Sequence, residues 1–288
     1  MSRLTMQLKS SIAGRVDLQH TVPDRWLGLG LPEILSWPIS VDGQATTIAD
    51  CFDVVDGQRD QWVLRGDLER CDHVAGGMRG GELVLESSIG DYLAADMRGG
   101  TVVVRGDAGA YAASSLRGGH VSIFGNVGRY AAAAAPGASR GMSGGTLVVH
   151  GNAEQWLATR MRRGLVVVHG SIAAGCASRM LAGTVVACGA VELPLGCGMS
   201  RGTLLLINPS SQLVAGGCSG FTEPTPCELS FLPLLMNSLF PELPAGLAPS
   251  LAGSRWVRCL GDRAELGLGE LFLREANDNA PAGDVNPS

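Results

Sequence analysis

Short apolar runs recur along most of the chain, with every second residue hydrophobic. Each run follows a small residue, and in four copies a pair of glycines, as in Arg79-Gly80-Gly81, Arg98-Gly99-Gly100, Arg117-Gly118-Gly119 and Ser143-Gly144-Gly145. With the last small residue as an anchor, copies stand at Gly81, Gly100, Gly119, Gly145, Gly164, Gly183 and Gly202, in steps of 19, 19, 26, 19, 19 and 19 residues. Two and four residues past the anchor every copy is apolar, from Leu83/Leu85 and Val102/Val104 through Val185/Ala187 to Leu204/Leu206. Alternation this short, rich in Val and bounded by glycine, predicts half-buried strands and not helices. The constant period predicts that successive strands stack in register, one rung per repeat.

Other columns of the repeat carry further structure. Three residues before the anchor stand Met78, Met97, Leu116, Met142, Met161, Met180 and Met199, a second column of flexible apolar side chains. Six residues after it, Gly106, Gly125, Gly151, Gly170 and Gly189 mark a tight corner that needs positive φ or close approach. All three tyrosines, Tyr92, Tyr111 and Tyr130, fall eleven residues past their anchors, and Trp156 takes that place in the next copy. The long step holds Ala131 to Ala138, an Ala/Pro/Gly insertion of seven extra residues that should protrude.

The fold expected from these columns is all-β, a right-handed parallel β-helix (solenoid) with 19-residue rungs and capping flanks. A left-handed hexapeptide solenoid would show a six-residue subrepeat, and the columns have none. The expected organisation is an N-terminal capping segment over 1–60, repeats over 61–208, a C-terminal cap over 209–274 and a disordered polar tail over 275–288. Within the flanks, strands are expected around Leu4, Met6 and Leu8, over Thr46–Val55, near Arg255–Leu260 and near Glu270–Leu273, with a short helix over Leu229–Phe240.

Composition narrows the function. A net charge of −5 and pI near 5.5 give no general attraction to nucleic acid or anionic lipid. No stretch approaches the roughly 20 apolar residues of a membrane span, and the N-terminus has no signal-peptide pattern, so a cytoplasmic location is expected. Eight cysteines form no CxxC pair or zinc-like spacing and read as reduced thiols.

Catalytic chemistry on a β-helix needs carboxylates, lysines or metal ligands gathered on one face, and the columns show no such cluster. His150 and His169 occupy one column and suggest a metal bridge, but Arg105, Phe124 and Cys188 continue that column without a third ligand. The glycine corners superficially resemble phosphate loops, yet no helix pattern follows them. No catalytic, cofactor-binding or metal residue is therefore expected on this chain.

Two columns point to partners instead. Val84, Val103, Ser122, Val148, Val167, Val186 and Leu205 face outward by alternation, so this stripe is covered either by the terminal segments or by another subunit. Arg79, Arg98 and Arg117, with Arg162 further on, stack cations that need counter-charges. Those are either local acids such as Glu82 and Glu86, or acids on a partner chain or polycarboxylate ligand.

The Met-Arg-Gly-Gly repeats, the lead-in Asp42-Gly43-Gln44 to Phe52-Asp53-Val54 and the closing Gly261-Asp262 to Gly267-Leu268-Gly269-Glu270-Leu271 resemble the gamma subunit of formylmethanofuran dehydrogenase. They are also similar to the gamma subunit of the bacterial formyltransferase/hydrolase complex and, more remotely, to the glutamate synthase C-terminal domain. The resemblance implies a non-catalytic structural subunit packed beside amidohydrolase-like, oxidoreductase-like and formyltransferase subunits. It implies a complex that moves a formyl group from a tetrahydromethanopterin carrier to a furan cofactor (methanofuran or methylofuran), often bearing a glutamate tail, and hydrolyses it to formate. The metal would belong to the amidohydrolase-like subunit. Few lysines and many arginines and alanines favour the bacterial complex over the archaeal redox one.

Overall fold

Apolar runs from successive repeats pair side by side, as their spacing predicts. The protein is described by a computed structural model over residues 2–228, 242–244, 247, 251 and 254–275. The parallel strands Glu82–Leu85, Thr101–Val104, His120–Ile123, Ser143–Val149, Arg163–Val168, Thr184–Ala187 and Arg201–Leu206 stand in that spatial order. Leu83, Val102, Val121, Leu147, Val166, Val185 and Leu204 lie directly opposite one another across the ladder. The 26-residue step leaves the register intact, because His120 faces Thr146 and Ile123 faces Val149.

The flanks prolong the same sheet. On one side Gln58–Arg65 and Arg3–Leu8 add parallel strands and Phe52–Val55 an antiparallel one. On the other, Leu268–Arg274 pairs parallel with Arg201–Leu206, and Trp256–Gly261 and Thr225–Cys227 follow antiparallel. A smaller four-stranded sheet joins Gln44–Thr47, Pro38–Val41, Val16–Asp17 and Cys71–Asp72.

This arrangement corrects the expected β-helix. Among the described residues the strands form a large mixed sheet of 13, mostly parallel, beside the four-stranded one, and no sheet curls into a closed solenoid. The physical reason lies in the segment that returns from each strand to the next. In the first return Tyr92, Ala94 and Asp96 have φ of 59°, 53° and 55°, and Tyr111, Ala113 and Ser115 repeat the pattern at 60°, 55° and 53°. Alternate residues in the left-handed region cannot form an extended strand. Successive returns are tied instead by backbone hydrogen bonds and by single bridges running through Ile89, Ala108, Val127, Ala153, Ile172 and Val191.

A second correction falls within Thr46–Val55, where a helical turn, Ile48–Cys51, interrupts the expected strand. Asp50 Oδ2 accepts from the Thr47 backbone N–H at 3.0 Å and from its hydroxyl at 2.6 Å, a cap that favours a turn over extension. The expected helix over Leu229–Phe240 and the polar tail after Glu275 lie outside the described residues.

The core explains the anchor glycines. All seven side chains of the methionine column are fully buried. Gly100 has φ +92°, and a Cβ there would lie 2.6 Å from the Met78 methyl and 2.7 Å from the Gly81 carbonyl oxygen. Gly119, Gly164, Gly183 and Gly202 repeat this contact with the methionine one rung back. The corner glycines answer to close approach alone, since a Cβ at Gly125 would fall 2.7 Å from the Gly106 backbone.

Beside those corners runs a polar ladder. Asp107, Asn126 and Asn152 accept, through Oδ1, the backbone N–H groups of Asn126, Asn152 and Ser171 at 2.6, 2.8 and 2.8 Å. Each rung thereby satisfies a donor of the next.

The outward stripe divides into two. Val148, Val167, Val186 and Leu205 are buried in a second core with Leu243, Leu251, Trp256 and Phe272, so the C-terminal segment covers this half. Val84, Val103 and Ser122 remain half-buried.

Candidate functional site

The anchor turns carry the arginines and the returns carry the aromatic column. His73, Tyr92, Tyr111 and Tyr130 stack with ring centroids 4.9, 4.9 and 5.1 Å apart, and Trp156 follows at 6.3 Å. Spacing near the inter-strand distance follows from in-register rungs, with each ring above the last.

Beside the start of this ladder lies a cleft of about 480 Å³ lined by Arg25, Arg79, Arg98 and Arg117 together with His20, His73, Asp24 and Asp96. The structure thus brings together three of the four arginines expected to act as a set; Arg162 is not among the lining residues. Arg25, Asp24 and His20 come from the N-terminal segment. That segment is held in place by fully buried Trp26, whose ring lies 4.2 Å from Trp62, and by Pro23, which packs against Gly81.

The counter-charges differ from those expected. Glu82 pairs with Arg3 at 3.1 Å and Glu86 with Arg65 at 2.8 Å, so neither serves the arginine column. Asp96 Oδ1 accepts from Arg117 Nη2 at 2.7 Å and from its Nε at 3.0 Å. Asp24 accepts the Arg79 backbone N–H at 2.9 Å and leaves the guanidinium free for other partners. Among the described residues no ion pair forms on Arg25, Arg79, Arg98 or Arg162. Four arginines facing two aspartates give this cleft the chemistry of a seat for carboxylates.

The histidine column has a different setting. His150 stacks on Phe124 at 4.3 Å, meets His169 edge-on at 4.6 Å and has Nε2 3.2 Å from the Ser122 hydroxyl. Burial first, and then His169, hold His150 below the usual histidine value. His169 Nε2 lies 2.6 Å from the Glu242 carbonyl oxygen, so that nitrogen is engaged by the chain itself. Among the described residues no three His, Cys, Asp or Glu side chains are grouped to hold a metal. All eight cysteines are free, and burial pushes Cys71, Cys176 and Cys188 up to about 12, far from thiolate chemistry at neutral pH. No helix among the described residues is long and apolar enough to cross a membrane.

The same architecture occurs in a solved assembly. The chain is similar to a chain in the X-ray crystal structure of the formyltransferase/hydrolase complex (FhcABCD) from Methylorubrum extorquens in complex with methylofuran, with 34% identity and a TM-score of 0.83. The match covers 93% of this chain and 98% of that one. The chain belongs to the gamma-subunit family of the formyltransferase/hydrolase complex. Because the match runs nearly end to end, membership of the gamma-subunit family rests on the flanking strands as well as the repeats. No family model matches the chain, and no curated protein matches it.

Proposed function

We propose that this chain is a non-catalytic structural subunit of a formyltransferase/hydrolase complex. In this reading the complex transfers a formyl group from a tetrahydromethanopterin carrier to a furan cofactor and hydrolyses it to formate. Amidohydrolase-like, formyltransferase and oxidoreductase-like subunits pack around this chain, and the hydrolytic metal sits in the amidohydrolase-like one. Residues 1–60 and 209–274 cap the repeat region of 61–208.

The observation that carries the reading is the cleft of Arg25, Arg79, Arg98 and Arg117 on a chain similar over nearly its whole length to part of a methylofuran-bound assembly. Three of its guanidiniums, on Arg25, Arg79 and Arg98, enter no ion pair among the described residues and have carboxylate-binding capacity that those residues do not use. An acidic surface of a partner, or the glutamate tail of the furan cofactor, supplies the missing charge.

Affinity purification of the tagged chain from its native host, with mass spectrometry of what accompanies it, tests the assembly. The expected result is stoichiometric recovery of the three partner types. Isolation as a solitary protein that alone releases formate from a formylated carrier would overturn the proposal. Arg98→Glu in the assembled complex tests the cleft: cofactor retention or recovery of partner chains should fall about tenfold or more. Unchanged assembly, cofactor content and formate production would show that the cleft has no part in either.

A further inference from the structure

At the far end of the aromatic ladder lies a second cleft, of about 380 Å³, roofed by the 131–138 insertion and walled by Tyr130, Trp156, Arg160 and Arg179. We propose that it is a docking surface for an acidic segment of a neighbouring polypeptide, distinct from the arginine cleft described above.

Charge selects the partner. The residues lining this cleft include two arginines and no acid. Neither Arg160 nor Arg179 enters an ion pair among the described residues, whereas Arg129, close by in sequence, pairs with Glu154 at 3.6 Å. A carboxylate is the complement two uncompensated guanidiniums select.

The walls are fixed before any partner arrives. Ala134 N–H donates to the Thr159 carbonyl at 3.1 Å, and Arg160 Nη1 donates to the Ala138 carbonyl at 3.2 Å, which ties the insertion to the neighbouring rung. Trp156 is held from beneath by the Gly175 backbone, where a Cβ would fall 2.7 Å from the ring, yet 40% of the residue stays exposed. A half-open indole beside small alanines suits an apolar side chain next to the acid.

Shape points the same way. The cleft is partly open to solvent, which fits a polypeptide better than a small anion, since small-molecule sites enclose most of their ligand.

The test uses the assembled complex. A photo-reactive benzoylphenylalanine at Pro136 should crosslink to a partner peptide that contains Asp or Glu. In the same complex Arg179→Glu should abolish that crosslink and raise hydrogen exchange across 131–138 about tenfold or more, while Arg105→Glu, an equal charge change elsewhere, leaves both unchanged. A crosslink to a segment without acidic residues, or no crosslink at all, would overturn the proposal. So would full crosslinking in the Arg179→Glu complex. Protection of 131–138 by inorganic phosphate alone, without change on assembly, would assign the cleft to a small anion and equally overturn it. Loss of the arginine cleft through Arg98→Glu has no bearing on this crosslink while the complex holds together, so the two readings fail separately.

Discussion

Tyr111 is held in the left-handed region at φ 60°, between Tyr92 at 4.9 Å and Tyr130 at 5.1 Å, with interplanar angles of 4° and 10°. A bulky residue in that region is strained by about 1–3 kcal/mol, so the stack and the backbone hydrogen bond from Tyr111 N–H to the Arg129 carbonyl must over-determine it. Tyr111→Ala removes two ring contacts, each about 0.5–1.5 kcal/mol, and keeps the backbone strain, which gives a loss of about 1–3 kcal/mol before burial is counted. Tyr111→Gly removes the same contacts but relieves the strain, and should be the milder change by about 1 kcal/mol. Equilibrium urea unfolding of the two variants, read by circular dichroism, measures the difference directly. Glycine is ordinarily the more disruptive replacement, so the expected inversion is diagnostic. If Tyr111→Gly proved equal to or worse than Tyr111→Ala, the claim that backbone strain is stored under the aromatic ladder would be wrong.

Gly100→Ala faces both a positive φ and a 2.6 Å approach to the Met78 methyl, and should destabilise by about 3 kcal/mol or more, measured in the same titration. Asn152→Ala strips the acceptor from the Ser171 N–H and should lose about 1 kcal/mol, whereas Asn152→Asp keeps an acceptor and should lose less. His150 has a folded value below the ordinary histidine one, so its neutral form belongs to the folded state. Its contribution is complete above the ordinary value near 6.5 and is lost as pH falls from there through the lowered folded value. His150→Phe should therefore flatten the loss of stability between neutral and mildly acidic pH, and an unchanged pH profile would count against that origin.

The rung spacing, the buried methionine column, the aromatic stack and the meeting of Arg79, Arg98 and Arg117 are all legible in the sequence, because each is a consequence of a constant period. What period alone does not reveal is backbone conformation. Nothing about Tyr92, Ala94 or Asp96 as residue types announces a left-handed backbone, so the returns read as extendable and predict a closed solenoid where a single large sheet and its turns form. Non-local contacts are equally hidden: Arg25, Asp24 and His20 reach the arginine cleft only because Trp26 is buried against Trp62. The covering of Val148, Val167, Val186 and Leu205 by Leu243, Leu251 and Trp256 also depends on how a later segment folds back. The Asp107, Asn126 and Asn152 ladder does leave a trace, as the residue after each corner glycine, but the glycine beside it is the louder signal.

Seating methionine methyls against glycine backbone has a consequence for oxidative chemistry. An added sulfoxide oxygen has no room at Met78, Met97, Met142, Met161 or Met180 while the strands stay paired. Peroxide should spare these sulfurs in the intact protein and mark them in the order in which the rungs come apart. The column then serves as a record, readable by peptide mass, of where along its length the molecule first gives way.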